Sequence, residues 1–207
     1  MQNREIVLVM GRTGMGKSIW TRSYCKNKKR IFAYDPLMEL NVNYVDRREL
    51  INLHDSGLLS SDNPHAVRIG VTNEEDLEVL AALAFLHGDA HLVIEEAGIL
   101  FPPGARAPSW MRDAVFIGRH RRLSLLITAQ RPTSIPVDMR SQASRVVCFS
   151  QREQRDMGWL EEFYGEQSQD VPSLGVFECL DSDSAGVKRY KIDVKNDDKK
   201  PLQNSEN

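Results

Sequence analysis

The chain of 207 residues contains little cysteine, and its three cysteines fit no disulfide framework. Cys25, Cys148 and Cys179 show no paired spacing, and an odd number always leaves one thiol over. Without such a framework, a chain of this length must be stabilised by a hydrophobic core, which it is large enough to form. The composition therefore favours a reduced, intracellular setting.

Long hydrophobic runs are also missing. An uninterrupted apolar run, Val79–Leu86, is far shorter than the roughly 20 residues that cross a bilayer. The apolar run near the N-terminus, Ile6–Met10, lacks the pattern of a secretory leader. We expect no direct membrane span, so any membrane association would need a partner.

A glycine-rich segment provides the strongest motif. Residues 11–18 read Gly-Arg-Thr-Gly-Met-Gly-Lys-Ser, which is the phosphate-binding pattern G-x-x-x-x-G-K-S, and they follow a run of strand length. Backbone N–H groups and a helix N-terminus face the phosphates in such a loop, while the lysine reaches the β- and γ-phosphates and the serine ligates Mg²⁺. The predicted ligands are ATP and Mg²⁺. The residues assigned to nucleotide binding are Gly11, Thr13, Gly14, Met15, Gly16, Lys17, Ser18 and Ile19.

Two adjacent acids form the second candidate element. Glu95 and Glu96 follow the apolar run His91–Ile94, which is typical of a buried strand that ends at the ligand edge of a sheet. The pair resembles a Walker B element, in which the first acid holds Mg²⁺ and the second polarises the attacking water. We therefore predict Ser18 and Glu95 as metal ligands, and Glu96 and Lys17 as catalytic residues. A pair of acids on a solvated loop is the competing interpretation.

A neutral amide ends another strand-like run. Gln130 follows Leu123–Ala129, so it should converge with Met10 and Glu95 at the carboxyl edge of a parallel sheet. An amide can hydrogen-bond both a phosphate oxygen and a water molecule. Gln130 is therefore predicted to sense the γ-phosphate, the alternative being an exposed glutamine before a turn.

Positive charge is uneven along the chain. The net charge is −2, yet residues 104–155 hold ten arginines, three acids and no lysine. Two uses compete for the arginines, since they suit both contacts to a DNA backbone and donation of an arginine finger to a neighbouring subunit. Arg119 is the candidate finger, with Arg121 and Arg122 as alternatives, and a solvated charged face remains open.

Strand-like and helical stretches alternate along residues 1–195, which predicts an α/β fold with a mainly parallel sheet between helices. The final pair of strands, Gly175–Leu180 and Lys188–Val194, should be antiparallel and joined by a turn at Asp181–Gly186. We expect one domain over 1–195 and a flexible polar tail over 196–207.

Four segments together resemble the FtsK–HerA superfamily of P-loop motor ATPases. They are Gly11–Ser18, Ile31–Pro36, Val93–Glu96, and Gly118-Arg119 through Leu123–Pro132. The last carries the Gly-Arg pair and the Gln-Arg-Pro ending that distinguish this group from other P-loop proteins. The resemblance spans roughly residues 5–150 and implies a RecA-like (ASCE) core.

That resemblance also implies an activity and partners. It implies ATP-driven pumping of double-stranded DNA by a homo-oligomeric ring, a pentamer or a hexamer. The short chain is most similar to the genome-packaging ATPases of tectivirus and vaccinia type. These imply a host-cytoplasmic or virion-associated protein that contacts a capsid or membrane-vertex protein.

Three other functions remain open at this point. A small-molecule or nucleotide kinase would use the P-loop and the arginines, but it needs neither Glu96 beside Glu95 nor Gln130. An assembly or secretion ATPase of the filamentous-phage type would act through a membrane partner. A nucleotide-gated binding protein that hydrolyses slowly would share every motif.

Overall fold

Nine strands form one sheet in the computed structural model, which describes residues 4–101, 104 and 106–194. The predicted tail at 196–207 lies outside these residues. The first strands and helices are β1 (Ile6–Met10), α1 (Lys17–Cys25), β2 (Arg30–Tyr34), β3 (Asn43–Tyr44), α2 (Arg47–Asp55), β4 (Val67–Val71), α3 (Glu74–His87) and β5 (Ala90–Ile94). The others are α4 (Ser109–Arg112), β6 (Leu123–Ala129), α5 (Val137–Arg140), β7 (Arg145–Cys148), α6 (Gln154–Tyr164), β8 (Glu178–Asp183) and β9 (Gly186–Lys191).

Short 3₁₀ turns and one π-helical turn connect these elements. The 3₁₀ segments are Ala97–Ile99, Gly118–Arg121, Pro132–Ser134 and Gly165–Ser173, and the π segment is Asp113–Ile117. Helix α1 ends at Cys25 and does not continue to Lys28. The backbone of Lys28 instead donates to the Cys25 carbonyl in the turn that leads into β2.

The strand order is β3-β4-β2-β5-β6-β1-β7-β8-β9. All pairs from β3 to β7 are parallel, and β7-β8 and β8-β9 are antiparallel. The predicted α/β fold is therefore confirmed. Strand β6 lies between β5 and β1, so the carboxyl ends of these three strands meet at one edge.

Helices cover both faces of the sheet, as the alternation of strands and helices predicts. Alternate residues of each strand point to opposite faces, which separates the buried side chains into two clusters. Helix α1 packs through Trp20 and Cys25 on one face. Helices α2, α3, α4 and α6 supply buried residues to the cluster on the other face.

The final antiparallel pair exists, but its predicted bounds were wrong. The segment Asp181–Asp183 was assigned to a turn because of its polar composition, yet it belongs to β8. The Asp181 carboxylate accepts bonds from Arg145 Nε and Nη2 at 2.9 and 2.7 Å. An ion pair with a neighbouring strand thus keeps a polar residue in the sheet. The turn is confined to residues 184–185, where the Ala185 N–H donates to Asp183 Oδ1.

Tyr164 anchors this C-terminal part of the sheet. Its hydroxyl is buried beneath β7 and β8 and lies 2.9 Å from the Val146 carbonyl and 3.2 Å from that of Leu180.

Tyr164→Phe should lower the free energy of unfolding by about 1–2 kcal/mol, because a buried hydrogen bond is lost without loss of the ring. Urea denaturation followed by circular dichroism measures this. Tyr164→Leu, which also reduces packing, should cost more, and an unchanged Tyr164→Phe variant would contradict the role.

Candidate functional site

The predicted P-loop connects β1 to α1 at the carboxyl edge of the sheet. Gly11, Gly14 and Gly16 all have positive φ angles, of 150°, 79° and 118°. A Cβ on Gly11 would lie 2.5 Å from the Phe149 Cβ, so glycine is required there for space as well as for conformation. Glycine thus permits the tight turn in which loop N–H groups can face a phosphate.

Exposure differs along the loop. Thr13 and Gly14 are exposed, Met15, Gly16, Ser18 and Ile19 are half-buried, and Gly11 and Lys17 are buried. The Lys17 ammonium donates to the Gly11 carbonyl at 2.9 Å and lies 3.8 Å from Glu96 Oε1. The lysine is thus held at the mouth of the loop between a carbonyl and a carboxylate.

A C-terminal segment closes one side of the loop. The Phe177 N–H donates to the Met15 carbonyl at 3.0 Å, and a Cβ on Gly16 would come within 2.9 Å of the Phe177 ring. Phe177 has a φ of 66°, which is unusual for a bulky residue. This support lies about 160 residues from the motif, and no local sequence pattern signalled it.

Glu95 and Glu96 follow β5 and have different surroundings. Glu95 is 5% exposed, and its Oε2 accepts a hydrogen bond from Thr128 Oγ1 at 2.8 Å. Its Oε1 is buried and has no hydrogen-bond partner among the described residues. Glu96 is more accessible, and its carboxylate faces both Lys17 and Gln130.

Burial raises the pKa of Glu95 to about 7 from 4.5. The Thr128 hydrogen bond opposes this shift, and the nearby Asp35 carboxylate adds to it. The Thr21 hydroxyl also lowers the Glu95 pKa, although its oxygen makes no hydrogen bond of good geometry. Its effect is smaller than that of Thr128, because hydrogen-bond strength falls steeply with misalignment.

The residues near Glu95 are compatible with a magnesium ion. The unpartnered Glu95 Oε1 is a carboxyl oxygen, the donor type that Mg²⁺ prefers, and Ser18 in the first turn of α1 supplies a hydroxyl. Among residues 4–101, 104 and 106–194, no cluster of three or more His, Cys, Asp or Glu forms a metal-ligand set. An ion held here would therefore draw most of its ligands from water and phosphate.

Gln130 joins this group. Its Nε2 lies 3.4 Å from Glu96 Oε2, and its backbone carbonyl accepts a hydrogen bond from the Gln151 side chain. The structure therefore brings together Lys17, Glu96 and Gln130, which come from segments that follow three different strands. It also places Thr128 beside the two acids, which no local pattern signals because a threonine in a strand is ordinary.

Arg119 lies elsewhere. It precedes β6, whereas Gln130 follows β6, so a seven-residue strand of roughly 20 Å separates the two ends. No ion pair joins Arg119 to another described residue, and its Nε donates to the ring of the neighbouring His120. Arg119 therefore does not complete the site of its own chain.

The other finger candidates already have partners. Arg122 forms an ion pair with Asp89, and the Arg121 guanidinium lies 5.7 Å from the centre of the Phe85 ring. Both contacts hold these arginines against the amino edge of the sheet. Arg119 has neither kind of contact among the described residues, and its Nε donates to the His120 ring.

The ten arginines do not form one surface. Arg131 and Arg145 are bound in ion pairs with Asp156 and Asp181. Arg106, Arg112 and Arg140 line a cavity of about 480 Å³ beside residues 133–138, just after the Gln-Arg-Pro segment. Asp138 also lines this cavity and forms an ion pair with Arg112, with Nε and Oδ2 3.9 Å apart. The cavity thus carries three arginines and one acid close in the chain to Gln130.

Comparison with known proteins gives a clear answer for the fold. No family model matches the chain, and no curated protein matches its sequence. The genome-packaging NTPase B204 of Sulfolobus turreted icosahedral virus 2, solved with AMPPCP, is similar with a TM-score of 0.73 and 21% identity. The match covers 92% of this chain and 99% of that one.

Two further structures are more distant. The pCW3 conjugation coupling protein TcpA, solved with ATPγS, has a TM-score of 0.58 at 15% identity, covering 91% of this chain and 60% of that one. VirB4 of Thermoanaerobacter pseudethanolicus has a TM-score of 0.58 at 11% identity, covering 91% and 89%. The predicted resemblance to motor ATPases of the packaging type is therefore confirmed at the level of the fold.

The raised pKa of Glu95 makes stability depend on pH. Between pH 4.5 and 7 the folded chain retains a proton that the unfolded chain has lost, so this group's stabilising contribution falls as pH rises. Over this pH range the contribution of Glu95 to the free energy of unfolding falls by about 3 kcal/mol. Urea denaturation without divalent cations should show a steeper decline for the parent than for Glu95→Gln. Glu161→Gln, which alters an exposed acid, should follow the parent, and identical slopes for Glu95→Gln would contradict the assignment.

Proposed function

We propose that the chain is an ATP-hydrolysing motor that moves double-stranded DNA, of the kind that packages viral genomes. The observation that carries this proposal is the grouping of Lys17, Glu96 and Gln130 at the carboxyl edge of the sheet. The Glu96 carboxylate lies 3.8 Å from Lys17 Nζ and 3.4 Å from Gln130 Nε2. The similarity to B204, whose own structures contain AMPPCP and ATPγS, supports nucleotide binding by this chain.

Each residue then has one task. Lys17 moves from the Gly11 carbonyl to the β- and γ-phosphates, which offer stronger acceptors. Its departure also frees the Glu96 carboxylate, which is then able to take a proton from the attacking water. Gln130, beside Glu96, hydrogen-bonds this water and a γ-phosphate oxygen. Mg²⁺, held through Ser18 and Glu95, supplies charge neutralisation at the phosphates when it is bound.

Arg119 belongs to the site of a neighbouring copy in this proposal. Its own Gln130 lies at the other end of β6, and no ion pair to another described residue restrains the guanidinium. In a ring with head-to-tail contacts, the amino edge of one copy meets the nucleotide of the next. Hydrolysis would then depend on assembly.

The cavity lined by Arg106, Arg112 and Arg140 is the best-placed DNA contact. Guanidinium groups bind phosphate oxygens in a bidentate manner and do not read the sequence. The cavity also lies directly after the Gln-Arg-Pro segment. A conformational change at Gln130 would therefore need to be transmitted over only a short distance to reach the DNA.

A second function is favoured by a specific observation. VirB4 and TcpA share the fold, so a secretion or conjugation ATPase that acts through a partner is the main alternative. Within the described part of the chain, no helix is both long and apolar enough to cross a bilayer. A small-molecule kinase is less favoured, because Glu96 and Gln130 together are suited to activating water.

ATP hydrolysis with and without double-stranded DNA tests the proposal. We expect DNA to stimulate phosphate release, and Lys17→Ala and Glu96→Gln to reduce it by at least about 100-fold, the contribution of a general base. Glu96→Gln should still bind ATP, because the P-loop is intact. The matched controls are Lys188→Ala and Glu161→Gln, which change exposed residues away from the site.

Each contrary result has a distinct meaning. A rate of hydrolysis that is the same with and without DNA would favour the secretion-type ATPase. Phosphate transfer that needs a small-molecule acceptor would favour the kinase. Parent-like hydrolysis by both site variants would show that the site is wrongly assigned.

Mixing two inactive variants tests the role of Arg119. Arg119→Ala and Lys17→Ala should each be inactive, but a mixture should recover about a quarter of the parent rate, because some interfaces then combine an intact Lys17 with an intact Arg119. Arg121→Ala, matched in charge and position, should retain activity alone. Failure of the mixture to recover would exclude sharing of the site between copies.

A further inference from the structure

Thr128 links the two acids of the site. It lies near the carboxyl end of β6, beside the end of β5, and it is fully buried. Its hydroxyl donates to Glu95 Oε2 at 2.8 Å and accepts from the backbone N–H of Glu96 at 2.9 Å. One side chain thus contacts the acid assigned to the metal and the acid assigned to the water.

The direction of these bonds is determined by chemistry. A backbone N–H can only donate, so the hydroxyl oxygen must accept from Glu96. The single hydroxyl proton is then directed to the Glu95 carboxylate. Rotation of the threonine would break both bonds within a buried setting, where each unpaired group is costly. The hydroxyl therefore fixes the two acids relative to each other.

Glu96 also has an uncommon backbone conformation. Its φ and ψ are 51° and 45°, in the left-handed region that non-glycine residues seldom occupy. The hydrogen bond to Thr128 holds the N–H of this same residue. In this conformation the Glu96 carboxylate reaches Lys17 at 3.8 Å and Gln130 at 3.4 Å.

We propose that Thr128 is a positioning residue that holds Glu96 in the left-handed conformation and the Glu95 carboxylate in its orientation, so that both acids face the nucleotide. This inference rests on the proposed function. Thr128 touches no reacting atom, so its effect should fall on the rate of hydrolysis and leave nucleotide binding nearly unchanged.

Thr128→Val is the main test, because valine has nearly the same shape and lacks the hydroxyl. We expect the rate of ATP hydrolysis to fall by 10- to 100-fold with little change in KM. Thr128→Ser, which retains the hydroxyl, should recover most of the rate. Ser124→Ala is the matched control, since Ser124 is a buried hydroxyl in the same strand whose bond is to the backbone N–H of Glu5 at the opposite edge.

Amide hydrogen exchange gives a second measurement that does not depend on activity. The Glu96 amide should be protected in the parent and in Thr128→Ser, and it should exchange at least 10-fold faster in Thr128→Val. The exchange test remains valid if the parent hydrolyses no ATP. An inactive parent would therefore refute the proposed function without deciding the role of Thr128.

Four results would overturn the inference. One is parent-like hydrolysis by Thr128→Val, and another is an equal loss in Ser124→Ala, which would show a general effect on folding. The third is unchanged protection of the Glu96 amide in Thr128→Val. Failure of serine to recover activity would likewise exclude the hydroxyl as the cause.

Discussion

The parallel pairing of β5, β6 and β1 is the constraint on which the site depends. In this register Ile94 lies beside Ile127, and Met10 beside Ala129, so three strands end together. The residues that follow these ends are the P-loop, the two acids and Gln130. Because parallel strands need crossover connections, segments far apart in the chain meet at one edge. A shift of one residue would turn every side chain to the other face and disperse the group.

Burial of charge next to this edge distinguishes the two acids. Glu95 lies among buried groups and close to Asp35, so its pKa is raised, whereas Glu96 is more accessible and faces a cation. Thr128 forms hydrogen bonds with both Glu95 and Glu96. It supplies a hydrogen bond to the buried carboxylate and holds the strained backbone of its neighbour. The two acids thus acquire different properties although they are adjacent and identical in type.

Arginine has three different uses in this structure. Arg145 and Arg131 stabilise the fold through ion pairs with Asp181 and Asp156. Arg140, with its neighbours, lines the cavity beside residues 133–138. Arg119 has no ion pair with a described residue and is the arginine proposed to reach the site of a neighbouring copy. A count of charge along the chain cannot separate these uses, because the distinction depends on which acids other strands and helices place nearby.

The sequence by itself determined the P-loop, the alternation of strands and helices and the identity of the acids and the glutamine, because these are local patterns of glycine, apolar runs and strand ends. The bounds that it predicted for the final hairpin were wrong, because aspartate is typical of turns. Asp181 belongs to a strand since it forms an ion pair with Arg145 of a neighbouring strand. Only the tertiary structure placed Thr128 and Phe177 beside the site, since each makes its contacts with residues remote in the chain. Strand order, which is set by long-range packing, also placed Arg119 at the edge opposite Gln130.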